Sequence, residues 1–167
     1  MPEIDKVYLV GFMGAGKSTL ARAVADRLGW VAEDVDDRIE LRERATIADI
    51  FRLKGEPYFR TVEREVLYGL LPLRHAVVAT GGGTFVDPEN RAAMLADGFV
   101  IWLDIPLPLV VDRAPSDGRR PLAVDRRQLE GLYWARTAAY RLAHVRIDAA
   151  GLPVGELVER ILETLRP

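Results

Sequence analysis

Eight residues near the start of the chain, Gly11-Phe12-Met13-Gly14-Ala15-Gly16-Lys17-Ser18, have the spacing G-x-x-x-x-G-K-S. Glycines at these positions let the backbone curl, so that successive N–H groups face one point where phosphate oxygens bind. A helix opening at Lys17 adds the positive end of its dipole. Gly14, Ala15, Gly16, Lys17, Ser18 and Thr19 are the expected nucleotide contacts. In such a loop the lysine ammonium reaches the β- and γ-phosphates and the serine hydroxyl coordinates Mg²⁺. The pattern implies a bound nucleoside triphosphate with Mg²⁺, but not where the γ-phosphate goes. A guanine-reading N-K-x-D late in the chain is ruled out, because the only lysines are Lys6, Lys17 and Lys54. That disfavours a GTPase.

Four further groups have types and positions suited to an acceptor. Asp34 and Asp36 form a D-x-D that follows a short strand pattern and falls on one side of the chain if the backbone stays extended. One carboxylate is suited to a water on Mg²⁺ and the other to an acceptor hydroxyl. The competing reading is that Asp36 or Asp37 caps the next helix. Arg60 and Glu63 lie three apart in a helical stretch, which by itself reads as a surface ion pair. Gly81-Gly82-Gly83 follows a buried strand and permits close approach of backbone to ligand, or is a flexible turn. Arg120, in an Arg-Pro-Leu sequence, and Arg136 complete the set, and either alone reads as solvated surface.

The elements that must hold these groups are legible as apolar runs. Val7–Val10, Ala76–Ala79 and Phe99–Leu103 lack polar alternation and suit strands buried on both faces. Weaker strand patterns occur at 31–33 and 145–147. Helical patterns cover 17–28, 37–44, 46–54, 56–71, 88–97, 126–142 and 153–165, with Asp87-Pro88 as a cap-and-proline start. The alternation predicts an α/β domain: a five-stranded parallel sheet flanked by helices on both faces. A helical insertion at about 36–73 and a mobile lid at about 114–125 interrupt the rhythm. Such segments are where a substrate subdomain and a lid are expected.

Composition bounds the rest. A chain of 167 residues, 49% hydrophobic and 29% charged, suits one globular domain. Cysteine is absent and the two histidines, His75 and His144, form no ligand pattern. Disulfide scaffolds and thiolate sites are therefore excluded. A net charge of −2 argues against a general grip on nucleic acid. No apolar stretch approaches the ~18 residues of a membrane span, and no export signal is seen. A cytoplasmic monomer with no nucleic-acid or membrane partner is expected. Of 23 basic residues 20 are arginine, which reflects genome composition or, alternatively, the use of several as planar forks for phosphate or carboxylate. Trp30, Trp102 and Trp134 are read as packing residues.

The series as a whole resembles the shikimate kinase family over nearly the whole chain. It comprises phosphate loop, D-x-D, Phe59-Arg60-x-x-Glu63, strand–Gly81-Gly82-Gly83, Arg120-Pro121-Leu122 and a late arginine. The resemblance implies a P-loop kinase fold of the nucleoside-monophosphate-kinase type. It also implies transfer of the ATP γ-phosphoryl group to the 3-hydroxyl of shikimate, on the route to chorismate and the aromatic amino acids. By the same resemblance, Lys17, Asp36 and Arg120 are catalytic, and Asp34 contacts Mg²⁺ through water beside Ser18. Asp36, Gly81, Gly82 and Gly83 meet the acceptor, and Arg60 and Arg136 grip its carboxylate. Arg113 lies over adenine and Arg120 reaches the phosphates. Two departures stand out: Ala138-Ala139 replaces the proline usual after the late arginine, so the helix is expected to continue, and Gly151 replaces a polar nucleotide contact. A same-fold kinase of another polyol, such as a cyclitol or gluconate, needs the phosphate loop and D-x-D but not both arginines. A nucleotide-binding protein without turnover would have no use for Lys17, Asp36 and Arg120 together.

Overall fold

A β-branched, largely unbroken apolar strand cannot face water on either side, and that dictates the centre of the molecule. In a computed structural model describing residues 3–113 and 126–167, with the side chains of Asp112 and Arg113 outside the description, β1 (Lys6–Val10) and β3 (Ala76–Ala79) are buried at every position. β4 (Phe99–Asp104) lies on the other side of β1, and β2 (Val31–Asp34) and β5 (Val145–Asp148) form the partly exposed edges. All neighbouring pairs are parallel, in the order β2-β3-β1-β4-β5.

The helices are α1 (Lys17–Leu28), α2 (Val35–Glu43), α3 (Ile47–Lys54), α4 (Glu56–Leu70), α5 (Pro88–Asp97), α6 (Leu107–Arg113), α7 (Arg126–Tyr140) and α8 (Val154–Thr164). Three of them, α2 to α4, fill the connection between β2 and β3, as the helical insertion predicts. Asp87 caps α5 by accepting from the amides of Glu89 and Asn90 at 2.8 and 3.1 Å, with Pro88 in the first turn. α7 runs straight through Ala138-Ala139 to Tyr140.

Because every strand points the same way, the loops after β1, β2 and β3 emerge on one edge. The chain crosses from the β3 side of β1 to the β4 side, so the phosphate loop sits at the switch in strand order, where open α/β sheets bind ligands.

Three expectations are corrected. α6 has no counterpart in the sequence reading, because Pro106 and Pro108 mask it. A proline is harmless in a first helical turn, whose amides have no partner within the helix. A single 3₁₀ turn, Thr84–Val86, likewise has no counterpart among the helical patterns of the sequence. Trp134 is 61% exposed on the outer side of α7, its ring meeting Tyr133 edge-on at 5.1 Å, so it is not a core residue.

The opposite end of the sheet is closed by charge. Lys6 opens β1 with no exposure at all. Its Nζ donates to the carbonyls of Leu70 and Leu71 at 2.6 and 3.2 Å and pairs with Asp97 at 2.7 Å. Asp97 also accepts from the Tyr8 hydroxyl at 2.5 Å and from Arg74 at 2.6 Å. The ends of α4 and α5 are thus tied to the central strand. Burial pushes the Lys6 ammonium below its ordinary value. For Asp97 burial acts upward, but the hydrogen bonds from Lys6, Tyr8 and Arg74 prevail and hold the carboxyl low.

Removing one partner of a buried pair strands the other. Asp97→Asn is expected to lower stability by roughly 3 kcal/mol at pH 7. The wild-type contribution is full above the unfolded carboxyl value near ~3.9 and fades as pH falls through the depressed native value. Denaturant midpoints at pH 7 and pH 3 should therefore converge between wild type and variant. Parallel pH dependence would remove Asp97 from this role.

Candidate functional site

The phosphate loop owes its shape to glycines in conformations other residues resist. Gly14 and Gly16 have φ of 82° and 85°, and Gly16 precedes α1 without any side-chain cap. The N-terminus of α1, with the positive end of its dipole, therefore faces the loop without a side-chain cap. Gly11 is fixed by space: a Cβ there would lie 2.6 Å from the carbonyl oxygen of Leu103 on β4. Lys17 is buried, and its Nζ donates to the carbonyls of Gly11 and Phe12 at 2.5 and 3.1 Å, across the mouth of the loop. Ala15 differs from its neighbours. It is buried beside the cavity, with its amide on the Phe12 carbonyl at 3.3 Å.

One cavity joins this loop to the acceptor candidates. Its wall includes Gly14, Gly16, Lys17, Ser18 and Thr19 from the loop and α1, and Asp34 and Asp36 from β2 and α2. Arg60, Gly81, Gly82, Gly83 and Arg136 complete the expected set. Arg120 and the expected lid lie outside the described residues, as does the side chain of Arg113.

The D-x-D is not extended. α2 begins at Val35, and Asp34 itself is the cap, accepting from the Asp37 amide at 3.1 Å. Asp34 also accepts from the Ser18 hydroxyl, which joins the two groups expected around Mg²⁺. Asp36 reaches the cavity from the first helical turn. Its Oδ1 would lie 3.0 Å from a Cβ at Gly81.

The glycine run is a close-approach surface for both arginines. A Cβ at Gly82 would stand 2.5 Å from Nη1 of Arg136, and one at Gly83 would stand 2.5 to 2.8 Å from the Arg60 guanidinium. Arg60 and Glu63 are no surface pair, since Glu63 is only 1% exposed. Arg60 donates to both Glu63 oxygens at 3.0 and 3.2 Å. Thr84 donates to the same carboxylate at 2.9 Å, and the Asn90 amide holds the Thr84 carbonyl at 3.2 Å. Arg136 is buried on α7, and burial pushes its guanidinium below the ordinary value. Tyr140, one turn on, donates its hydroxyl to the Gly82 carbonyl.

Sequence reading missed several wall residues. Ile47, Phe51 and Phe59 line the cavity from α3 and α4, and none of them was among the expected site residues. Met13 also lines it, although it lies in the loop. The signal for Glu63 was available: a carboxylate one turn from Arg60 in an otherwise apolar face.

A phosphate cradle facing two arginines and an aspartate has the parts of a phosphotransferase. A family model described as shikimate kinase matches residues 13–166. The chain belongs to the shikimate kinase family. A shikimate kinase from Persephonella marina is 42% identical over 161 residues, covering 96% of this chain and 98% of the relative. One from Sulfurihydrogenibium sp. is 40% identical over 164 residues, covering 98% and 99%. The solved shikimate kinase from Acinetobacter baumannii, in complex with shikimate, superposes with a TM-score of 0.93 at 37% identity. That match covers 97% of this chain and 93% of the other. The protein is thus a kinase of the P-loop α/β type, and family and cavity agree.

The close approach of both guanidinium groups to the glycine run allows a test of whether that run meets an acceptor. In Gly82→Ala and Gly83→Ala the displaced atoms are ends of flexible side chains, so the fold survives while a guanidinium moves. Each variant is expected to keep a melting temperature within a few degrees of wild type and to raise the acceptor KM about tenfold or more, the loss of one charge-assisted hydrogen bond. An unchanged KM would show that the guanidinium positions are irrelevant.

Proposed function

We propose that the chain transfers the γ-phosphoryl group of ATP to the 3-hydroxyl of shikimate, giving shikimate 3-phosphate and ADP, with the cavity residues in the following roles. The observation that carries this reading is the convergence of Arg60, Arg136 and Asp36 on one glycine run beside the phosphate loop. Two guanidinium forks suit a carboxylate, which shikimate has and a plain polyol lacks. Gluconate also has a carboxylate but no ring to set its hydroxyls at a fixed distance from it. An acceptor site this furnished argues against a protein that only binds nucleotide.

Phosphoryl transfer asks for positioning and charge neutralisation more than covalent chemistry. Lys17 and the first amides of α1 hold the β- and γ-phosphates. Glu63, fixed by Thr84, keeps Arg60 aimed at the acceptor carboxylate, and Arg136 takes the same group from the other side. With the carboxylate fixed, the ring hydroxyls fall to Asp36 and Gly81–Gly83. Asp36 orients the attacking hydroxyl in line and accepts its proton as the bond to phosphorus forms. Arg120 is assigned to the phosphates and Arg113 to adenine by family pattern. The region 36–73 acts as the substrate-binding insertion and 114–125 as the lid.

Hard oxygen donors at the cradle fit Mg²⁺, which keeps several waters and takes phosphate oxygens with one or two carboxylates. The Ser18 hydroxyl and the Asp34 carboxylate, already in contact, are the groups that would hold it. Bound there with ATP, Mg²⁺ would neutralise phosphate charge. Among the described residues no cluster of three His, Cys, Asp or Glu side chains offers another metal site. A monomer is part of the proposal, and dependence on ATP makes a cytoplasmic location part of it as well.

ADP release in the presence of shikimate, quinate, gluconate or AMP tests the assignment, and strong stimulation by shikimate is expected. Arg60→Ala and Arg136→Ala should each raise the shikimate KM by a factor corresponding to about 1.5–3 kcal/mol, the range for a lost hydrogen bond to a charged group. A shikimate analogue with its carboxylate reduced to an alcohol should lose affinity for wild type and show little further loss with either variant. Equal affinity of wild type for both acceptors would overturn the two-arginine clamp.

Asp36→Asn keeps shape and loses the proton acceptor. Its kcat is expected to fall by roughly 10²–10⁴, the usual contribution of a positioned acid or base, with the ATP KM little changed. Full turnover would remove Asp36 from the chemistry.

A further inference from the structure

The two acceptor arginines differ in how their charge is balanced. Arg60 has Glu63 at 3.0 Å and Glu56 at 3.4 Å. Arg136 has no carboxylate within ion-pair distance among the described residues, although it is only 6% exposed. A buried cation with no counter-charge is costly, so something else must favour it. Its immediate neighbours are the Tyr140 side chain and an aromatic face: the Arg136 guanidinium carbon lies 5.5 Å from the centroid of the Phe12 ring.

Phe12 stands at a position that the G-x-x-x-x-G-K-S pattern leaves unspecified, so the phosphate cradle itself does not call for an aromatic ring there. It is 2% exposed and held by the edge of Tyr133, with ring centroids 5.5 Å apart. Tyr133 in turn is fixed by its hydroxyl on the Ile105 carbonyl at 2.9 Å. The two sides of Phe12 serve different substrates. Its carbonyl accepts from Lys17 at 3.1 Å and from the Ala15 amide at 3.3 Å, on the nucleotide side. Its ring faces Arg136, on the acceptor side.

We infer that Phe12 is a positioning residue for the acceptor: its ring face stands in for the missing counter-charge of Arg136 and keeps that guanidinium turned toward the substrate carboxylate. The inference rests on the proposed role of Arg136 and goes beyond it. Without the ring's negative face, Arg136 is left to the Tyr140 side chain and to the fields of the Glu63 and Glu56 carboxylates, which the Arg60 cation opposes. A guanidinium drawn toward any of these must be pulled back when the acceptor binds. The ring quadrupole is the property required, not the ring's volume.

Replacement of Phe12 by phenylalanines bearing one, two and three fluorines tests this, since fluorination drains the ring face while nearly preserving shape. The shikimate KM is expected to rise stepwise along the series, with kcat and the ATP KM within about twofold of wild type. Phe12→Leu, which removes the face altogether, should raise the shikimate KM roughly three- to thirty-fold, as expected for loss of a buried cation–π contact. With the reduced, carboxylate-free acceptor the series should be flat. A flat series with shikimate, or an equal rise with the uncharged acceptor, would overturn the inference. Arg136→Lys separates the two levels of the argument. If it raises the shikimate KM while the fluorinated series stays flat, only the role of Phe12 fails. If it leaves the KM unchanged, the acceptor role of Arg136 fails and the inference with it.

Discussion

Three consecutive residues without side chains, Gly81 to Gly83, set the geometry on which the rest of the site depends. Space that a Cβ would occupy is taken instead by an Asp36 oxygen, by Nη1 of Arg136 and by the Arg60 guanidinium. A carboxylate and two cations can crowd one backbone segment only if that segment offers no bulk. Such crowding is stable only if each group is held from behind. Arg60 is held by Glu63, Glu63 by Thr84, and Thr84 by Asn90 on α5. The Gly82 carbonyl is held by Tyr140 on α7. Asp36 is held by the helix whose first turn carries it. This wall is therefore assembled from four segments that are distant in sequence: Asp36 and Arg60 come from the connection between the neighbouring strands β2 and β3, the glycine run follows β3, and Arg136 arrives on α7, ahead of β5.

The same constraint explains why the cavity is continuous with the phosphate loop. β1 and β3 are paired in register, with Leu9 opposite Ala79, so the loop after one and the glycine run after the other leave the sheet side by side. Thr80 fastens the two, its amide and hydroxyl both donating to the Leu9 carbonyl at 3.2 and 3.0 Å. Strand pairing thus becomes the spacing between donor and acceptor sites, and no flexible loop intervenes where that spacing is set.

Much of this was legible in the sequence because it rests on backbone requirements. Glycines that need positive φ, or that admit a close neighbour, leave a trace that does not depend on partners. Buried strands leave another in their unbroken apolar runs. What was hidden rests on tertiary context. Glu63 read as one end of a surface pair because its partner Thr84 comes from 21 residues on, and only the apolar face around it hinted at burial. Asp34 read as extended because a strand and a helix meet there without a loop, so its side chain serves as cap and as partner to Ser18 at once. α6 was obscured by prolines that a first turn tolerates. Lys6, a charged residue beginning the most buried strand, fell outside the apolar run Val7–Val10, since its carbonyl and carboxylate partners come from residues 70, 71 and 97.

The abundance of arginine illustrates the difference between composition and position. Arg38 with Glu33 and Arg42 with Glu65 are exposed pairs of the kind that contribute little to stability. Arg136 belongs to the same residue type but stands under the opposite rule, since it is buried and not neutralised. Lysine would serve poorly there. Its compact, strongly hydrated charge loses more on burial and cannot lie flat against a ring or fork a carboxylate. The two ends of the sheet show the contrast directly. At one end the buried lysine is surrounded by carbonyls and a carboxylate, and the arrangement is closed. At the other, the buried arginine retains an unmet demand for negative charge, which the proposed contact with an acceptor carboxylate would meet.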